Sequence, residues 1–267
     1  MEEAASLPLC TEEGVDTVTL FGMTISNVTL GEVFETISRR IELHEPGYIL
    51  TPNVDHICDF QKSEEFRAAY HDGFLVLADG TPVIWASKLL GKPIKEKISG
   101  SDLIYSLTEH AAEQGYSIFL FGAAEGIAQR AGEILQERYP GLKVAGAYSP
   151  PVGFENDPEQ LAESIRVVKE AAPDICYVAL GAPKQDLWNY HHHKETGVPV
   201  LVGVGASLDF VTGKSKRAPK WMQGAGLEWT WRLMQEPRRL AKRYLVKDMQ
   251  FLPLLIKEWL FRRGGRG

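Results

Sequence analysis

The sequence predicts an α/β protein of Rossmann-like type, in which a mainly parallel sheet is covered by helices on both faces. Six short apolar runs recur along the chain, and helix-length segments lie between most of them. The runs are apolar throughout, as in strands that are buried on both faces. With 267 residues and 44% hydrophobic content, the chain is long enough to form one large domain of this kind with an appendage.

The predicted elements begin with a small hairpin. The segment DTVTLFGMTISNVTL (16–30) alternates β-branched and polar residues around a central glycine, and GEVFETISRRIEL (31–43) then repeats apolar residues at helical spacing. The six predicted strands follow, in the order GYILTPN, FLVLADG, YSIFLFG, LKVAGAY, DICYVALG and VPVLVGVG. Predicted helices such as SDLIYSLTEHAAEQG and EGIAQRAGEILQERYPG separate them. Strands that alternate with helices in this way indicate a parallel sheet.

Composition divides the chain into three parts. Residues 1–16 are expected to form a flexible acidic tail, residues 17–213 the Rossmann-like catalytic domain, and residues 214–267 a helical appendage. The appendage carries 14 Lys and Arg against 4 Asp and Glu, a net charge of +10, so the remainder carries −16. Three scattered cysteines, no signal-peptide pattern and no apolar run of spanning length predict a cytoplasmic protein.

Candidate ligand-binding residues lie at the carboxyl ends of the predicted strands, where open α/β sheets bind their ligands. Five of the six runs end in glycine or polar residues. The candidates at these ends are Thr51, Asn53, Asp79, Gly122, Gln185 and Asp209. On spacing alone, solvation of a helix start is favoured over contact with a ligand as the explanation of Gln185.

Several familiar cofactor-binding and metal-binding motifs are absent from the sequence. FGAAEG lacks the GxGxxG pattern, and the next strand does not end in an acidic residue, so a dinucleotide-dependent oxidoreductase is disfavoured. No P-loop, DxD or HExxH occurs, and three consecutive histidines, His191 to His193, point about 100° apart on a helix. We interpret these histidines as a solvated helix face, and we expect neither a metal nor a cofactor.

Asp79 is the one acidic residue that directly follows a buried strand. Its apolar neighbours predict partial desolvation, which raises the pKa of a carboxyl group and suits a general base. Asp is also a frequent N-cap, and a helix is predicted to begin near Thr81. From spacing alone, the two interpretations stand equal.

The appendage interleaves aromatic and basic residues over helix-length segments that break at Pro237 and Pro253. Basic amphipathic helices with Trp at their edges bind anionic membrane surfaces. The alternatives are helices that pack on the core with solvated basic faces, and a nucleic-acid surface. The acidic remainder of the chain argues against nucleic acid.

A set of motifs, taken together, resembles the WecG/TagA/CpsF family of bacterial glycosyltransferases. The motifs are TPNVDH, LADGTPVIWASKLLG, ISGSDL, ALGAPKQDLW and the long C-terminal GVGASLDFVTGKSKRAPKWMQGAGLEWTWRLMQEPRRLAKRY. The resemblance covers about residues 17–260. It implies inverting transfer of a sugar, N-acetylmannosamine above all, from a UDP-sugar to a polyprenyl-diphosphate-linked sugar. The enzyme would act as a peripheral protein on the inner face of the cell membrane, in cell-wall or polysaccharide synthesis, and homo-oligomers are conceivable.

The resemblance also implies roles for individual residues. Asp79 matches the proposed base, while Thr51, Asn53 and Gln185 match polar pocket residues. Lys97 stands where many members carry Arg and would balance the diphosphate as a point charge. Gly122, Asp209, Arg217 and Arg238 complete the expected substrate contacts. The alternatives are another donor, namely UDP-glucose, UDP-glucuronate or UDP-N-acetylmannosaminuronate, and a non-catalytic nucleotide-binding membrane adaptor.

Overall fold

A computed structural model describes residues 14–224, 226–242 and 247–264. Its strands are β1 (Thr17–Leu20), β2 (Met23–Ser26), β3 (Tyr48–Leu50), β4 (Leu75–Val76), β5 (Ser117–Gly122), β6 (Lys143–Tyr148), β7 (Ile175–Ala179) and β8 (Val200–Gly203). Its α-helices are α1 (Leu30–Leu43), α2 (Val54–Phe60), α3 (Glu64–Asp72), α4 (Thr81–Leu89), α5 (Gly100–Gln114), α6 (Ile127–Arg138), α7 (Pro158–Ala171), α8 (Lys184–Thr196), α9 (Ser207–Val211), α10 (Lys220–Gly224), α11 (Glu228–Gln235), α12 (Pro237–Lys242) and α13 (Phe251–Gly264). Short 3₁₀ helices cover Phe154–Asn156 and Asp248–Gln250.

The predicted fold class is confirmed. Strands β3 to β8 form a parallel sheet in the order β4-β3-β8-β7-β5-β6, and β1 and β2 form the predicted antiparallel hairpin. Every apolar run that was predicted to be a strand contributes one to the sheet. One detail is wrong: β6 is not buried on both faces. Its residues are exposed or half-buried because it lies at the edge of the sheet.

The core lies on both faces of the sheet. Alternate residues of β7 face opposite sides, so Cys176 and Val178 belong to one buried cluster and Ile175 and Tyr177 to the other. Helices cover each cluster, which explains why the central strands contain no polar alternation.

The order of the strands fixes where a ligand can bind. The last strand, β8, lies between β3 and β7 and pairs in parallel with both. Their carboxyl ends therefore meet at one edge of the sheet, the edge at which open α/β sheets bind their ligands. Thr51 and Gly203 lie at this point, and the Thr51 hydroxyl donates a hydrogen bond to the Gly203 carbonyl (3.3 Å).

The described part of the C-terminal region packs on the α/β core. The ring of Phe251, at the start of α13, lies 5.1 Å from that of Phe21 in the hairpin, and the Phe21 amide donates to Glu258 (3.0 Å). The Lys247 ammonium lies 2.6 Å from Asp55 Oδ1 and 2.5 Å from Asp59 Oδ2, both on α2. Core packing thus accounts for one side of this region. The division at residue 213 stays a prediction, and residues 1–13 of the expected tail lie outside the described residues.

The other side of the C-terminal region exposes large apolar side chains. Leu252, Ile256 and Leu260 are spaced four residues apart on α13, so they share one face, and each is at least half exposed. Of the thirteen exposed large hydrophobic residues in the described chain, nine follow residue 213. No helix within the described ranges combines the length and apolar character needed to cross a bilayer.

The three consecutive histidines on α8 face different partners. His191 Nε2 lies 2.8 Å from Glu65, His192 lies near Glu195, and the ring of His193 is buried against Tyr48 with its Nε2 3.6 Å from Asp72 Oδ2. The prediction of a solvated helix face is therefore wrong for His193. The reason is that α8 packs on both α3 and the sheet, so one of three successive positions must face inward.

Candidate active site

A cavity of about 820 Å³ opens at the carboxyl ends of β3, β4, β7 and β8. Its size falls in the range of small-molecule sites. Six of the nine residues predicted from the sequence line it, namely Thr51, Asn53, Asp79, Lys97, Gln185 and Asp209. The predicted strand ends therefore converge as the parallel topology requires.

The floor of the cavity is built where β3 meets the start of α5. A Cβ on Gly100 would lie 3.2 Å from the Gly203 carbonyl and 3.3 Å from Thr51 Oγ1, which is a tight contact, so glycine eases the close approach of the helix. Ser99 caps α5 by accepting the Asp102 amide (3.2 Å). The first turn of this 15-residue helix, with its partial positive charge, thus faces the cavity.

Asp79 is held at the cavity wall by its backbone. Its amide donates to the Pro52 carbonyl (2.9 Å), and the Ile98 amide donates to the Ala78 carbonyl (3.0 Å). Helix α4 takes Gly80 as its N-cap, at φ +94°, and receives no side-chain cap. The carboxyl group of Asp79 therefore does not cap α4, and the capping interpretation is not supported.

The surroundings of Asp79 make its carboxyl group a weaker acid than usual. Burial, and to a smaller extent the carboxylate of Glu228, raise the pKa of Asp79, and the ammonium of Lys97 opposes both; the net result is a pKa of about 7. A carboxylate with a pKa near neutrality is basic enough to accept a proton and is still substantially ionised at pH 7. The geometry therefore suits a general base.

Gln185 is anchored on the opposite wall. Its Oε1 accepts the Gly205 amide (2.9 Å), which ties the first turn of α8 to the turn after β8. A Cβ on Gly203 would lie 2.8 Å from Gln185 Nε2, so the glycine leaves room for this amide. Asp209, on α9, lies 3.3 Å from the Lys214 ammonium. Gln185 is thus a buried, fixed wall residue and does not merely solvate a helix start.

The C-terminal region supplies residues to the cavity that sequence reasoning did not select. Glu228, Trp229 and Arg232 of α11 line it, together with Met249 and Phe251. Glu228 and Arg232 are four residues apart and share a helix face. Both lie in the long C-terminal motif quoted above, which was the available signal, but the position of α11 over the sheet could not be read from the sequence.

Three predicted site residues do not line the cavity. Gly122 lies at the end of β5, where a Cβ would sit 2.8 Å from the Ala179 backbone, so it permits close strand approach. Arg217 is committed to protein partners, with Nη2 2.6 Å from Asp102 Oδ1 and Nε 3.8 Å from Glu228 Oε1. Arg238, on α12, is exposed.

Arg217 nevertheless acts on the cavity indirectly. It joins the start of α5 to α11, and so it holds Glu228 over the site. Burial would raise the pKa of Asp102, but the hydrogen bond from Ser99 and the guanidinium of Arg217 hold it below its usual value. Asp79 and Asp102 therefore differ in ionisation behaviour because only Asp102 has such direct partners.

Within 14–224, 226–242 and 247–264, no three His, Cys, Asp or Glu side chains come together as a metal site. Among the described residues that line the cavity, Lys97, Lys214 and Arg232 carry positively charged side chains.

Comparison with known proteins identifies the family of this chain. A chain from Bacillus spizizenii named N-acetylglucosaminyldiphosphoundecaprenol N-acetyl-beta-D-mannosaminyltransferase is 31% identical over 199 residues, or 74% of this chain and 75% of that protein. A Staphylococcus aureus (strain MW2) protein of the same name is 26% identical over 227 residues, covering 84% and 87%. The sequence model of the glycosyl transferase WecG/TagA/CpsF family matches residues 18–265. The chain therefore belongs to the WecG/TagA/CpsF family of glycosyltransferases.

Proposed function

We propose that the protein transfers N-acetylmannosamine from UDP-N-acetylmannosamine to N-acetylglucosaminyl-diphosphoundecaprenol, with inversion at the anomeric carbon and at the inner face of the cell membrane. The names of the two relatives describe this sugar and this acceptor. The observation that carries the proposal is Asp79, a carboxylate of raised pKa on the wall of the substrate-sized cavity.

The proposed reaction is a single displacement. The acceptor hydroxyl attacks the anomeric carbon of the donor while Asp79 removes its proton, and the bond from that carbon to the diphosphate oxygen breaks. UDP leaves from the opposite face of the sugar, which inverts the configuration. Such a step requires no second carboxylate as a nucleophile. The part of Glu228 is instead to raise the pKa of Asp79 through its negative charge.

Positive groups around the cavity would stabilise the departing UDP. Lys97 and Arg232 both line it, and the first turn of α5 adds backbone N–H groups with the positive end of the helix dipole. An Arg side chain can hold a diphosphate with two hydrogen bonds, which Lys cannot. Arg232 thus offers the guanidinium group that Lys97, in place of the family's frequent Arg, does not.

A donor screen tests the catalytic proposal. The purified protein would be given a short-chain lipid-diphosphate N-acetylglucosamine acceptor and each UDP-sugar in turn, with UDP release as the readout. We expect turnover with UDP-N-acetylmannosamine and a loss of at least about 10²-fold in Asp79→Asn. Turnover with a different donor would change the assignment of the transferred sugar. Near-normal turnover of Asp79→Asn would refute the assignment of Asp79 as the base. Bound UDP without turnover on any donor would favour the adaptor alternative.

The exposed face of α13 supports the membrane part of the proposal. Leu252, Ile256 and Leu260 form an apolar stripe on a strongly basic region, which is the arrangement that binds anionic lipid surfaces. The α11 residues at the cavity would then lie close to the bilayer that carries the acceptor.

Vesicle sedimentation tests this face. We expect binding to phosphatidylglycerol vesicles, weaker binding to phosphatidylcholine vesicles, and a loss of at least about 5-fold in Ile256→Glu. Leu43→Glu is the matched control, because Leu43 is a similarly exposed residue on α1. Equal losses in both variants would refute the assignment of the face.

A further inference from the structure

Helix α4 exposes two large apolar side chains outside the C-terminal region. Trp85 is 58% exposed and Leu89 is 57% exposed, whereas Val83 and Leu90, on the opposite side of the helix, are buried in the core. Trp85 and Leu89 are four residues apart, so they share one face, and Lys88 is exposed between them. Trp85, Lys88 and Leu89 are called the α4 patch below.

The segment that carries this patch is basic within an acidic part of the chain. Residues 80–95 contain Lys88, Lys92 and Lys95 and no Asp or Glu, a net charge of +3, whereas residues 1–213 together carry −16. Lys95 lies 3.1 Å from Glu32, while Lys88 is exposed beside the two apolar side chains. Trp and Leu flanked by lysines, with no acidic residue among them, form the pattern that binds anionic lipid surfaces.

Contacts at both ends place α4 beside the C-terminal region. At its start, a Cβ on Gly226 would lie 3.0 Å from the side chain of Thr81, so the segment before α11 packs against this end. Just past its other end, Lys92 Nζ and Arg262 Nη2 donate to the same acceptor, the Thr19 carbonyl, over 3.4 and 3.3 Å. Helix α4 therefore lies between the start of α11 and the end of α13.

The inner sides of α4 and α13 belong to one buried cluster. Val83 of α4 and Phe251 of α13 are both members of it, and Leu255 and Trp259 of α13 pack against it. The outer sides of the two helices therefore both point away from this cluster. The α4 patch is thus a neighbour of the exposed stripe of α13 on the surface.

The α4 patch also lies close to the cavity. Thr81 and Pro82, in the first turn of α4, line the cavity, and Trp85 is about one helical turn further along. Gly80, the N-cap of α4, directly follows Asp79. A surface that holds α4 therefore sets the position of Asp79 relative to that surface.

We propose that the α4 patch is a second membrane-docking surface, carried by the α/β core, which seats the mouth of the cavity on a bilayer of anionic lipids. The proposal rests on the function proposed above, in which the acceptor is a lipid of that bilayer. Trp85 and Leu89 enter the interfacial layer, where an aromatic ring with a polar N–H is well accommodated. Lys88 contacts the lipid phosphate groups.

A second copy of the chain is the less favoured occupant of the α4 patch. In a two-fold dimer the same patch meets itself, so the lysines of the two copies would face each other. Like charges at such a contact repel. A bilayer that contains phosphatidylglycerol instead supplies negative charge opposite the lysines.

Leu89→Glu tests the patch against a closely matched control. Leu89 and Leu43 are both 57% exposed, and each is the last residue of its helix. We expect Leu89→Glu and Trp85→Glu to weaken sedimentation with phosphatidylglycerol vesicles by at least about 5-fold, and Leu43→Glu to change it by less than about 2-fold. Equal binding by the Leu89 and Leu43 variants would refute the role of the patch.

Lys88→Glu tests the charge of the patch. Lys169→Glu is its control, because both lysines are exposed and lie in the last turn of a helix. We expect Lys88→Glu to weaken binding to phosphatidylglycerol vesicles by at least about 5-fold, and Lys169→Glu to weaken it by less than about 2-fold. Equal losses would mean that net charge, and not the α4 patch, governs binding, which would overturn the proposal.

Turnover on two forms of the acceptor separates docking from damage to the fold. Leu89→Glu should lower the ratio of turnover on a long-chain acceptor in phosphatidylglycerol vesicles to turnover on the short-chain acceptor in solution by at least about 5-fold. Equal falls on both acceptors would refute the docking role. Sedimentation velocity without lipid tests the other occupant: a wild-type dimer that Leu89→Glu dissociates, with unchanged vesicle binding, would assign the patch to a second copy.

Failure of this proposal and failure of the proposed function give different results. A wild-type protein that binds neither phosphatidylglycerol nor phosphatidylcholine vesicles would refute the membrane part of the proposed function and the α4 patch with it. Wild-type binding that is lost in Ile256→Glu and kept in Leu89→Glu would refute the α4 patch alone. Binding that is lost in both variants, without sugar transfer by the wild type, would refute the proposed reaction and support the docking surface.

Discussion

Replacing Asp79 by Asn should stabilise the protein while it abolishes turnover. The carboxyl group has a pKa of about 7 in the folded protein and 3.8 as its reference value, so the folded state binds the proton more tightly than the unfolded chain. The free energy of unfolding therefore falls as the pH rises from about 4 to about 7. Asn is nearly isosteric and does not titrate, so the variant escapes this loss.

The size of the effect follows from the shift in pKa. About three pKa units at about 1.4 kcal/mol each give about 4 kcal/mol above pH 7, of which about 3 kcal/mol develops between pH 5 and pH 8. Asp79 is partly exposed to the cavity, and water there screens its charge, so these values are upper bounds.

Urea unfolding monitored by tryptophan fluorescence at pH 5, 6, 7 and 8 measures the difference. We expect the advantage of Asp79→Asn over the wild type to grow with pH. Asp102→Asn is the control of opposite sign: the pKa of Asp102 is lowered, so its charge stabilises the fold at neutral pH and its removal should destabilise it. A difference between Asp79→Asn and the wild type that is constant from pH 5 to pH 8 would refute the reasoning.

Further expectations concern catalysis and the C-terminal region. The value of kcat/KM should rise with pH and level off above about 7, because Asp79 must be ionised to accept a proton; a fall over this range in a pH-rate profile would contradict its role as base. Lys97→Ala should raise the KM of the UDP-sugar or lower kcat, and unaltered steady-state kinetics would remove Lys97 from the site. Turnover should persist in EDTA, and a strict requirement for added Mg²⁺ or Mn²⁺ would count against this. Lys247→Met should lower the free energy of unfolding by about 2 kcal/mol in urea titrations, because it removes the cation that faces buried Asp55; an unchanged midpoint would mean that this ion pair contributes nothing.

The fold could be predicted because its signals are local. Each central strand is a short apolar run between turn residues, and parallel pairing then brings Thr51, Asp79 and Gln185 to one edge whatever the details of the loops. The sequence left the role of Asp79 open between general base and N-cap, because both roles suit an Asp just before a helix. In the structure Gly80 takes the N-cap position, and the role of Asp79 as base stays a proposal.

The parts of the site that could not be predicted depend on contacts between distant segments. Arg217 and Arg232 look alike in a basic sequence, but only the direction of α11 decides that Arg232 lines the cavity while Arg217 binds Asp102. His56 Nε2 lies 3.6 Å from Asp186 Oδ2, although the two residues are 130 positions apart, and no sequence pattern indicates this contact. Gly122 was placed in the site because glycines at strand ends often face ligands, whereas here its lack of a side chain lets two strands approach.

The position of β8 in the sheet has a consequence for how the protein is made. This strand is the last of the sheet to leave the ribosome, yet it lies between β3, the first, and β7. The β3–β4 pair can therefore join the β7–β5–β6 group only when about 200 residues have been synthesised, and long-range pairing of this kind is slow. Until then β3 and β7 each have an unpaired edge that is open to other chains. Nascent chains that stall before Val200 should therefore bind chaperones or be degraded by proteases. A nucleotide bound where β3 meets β8, as proposed above, would stabilise only chains that have passed this point.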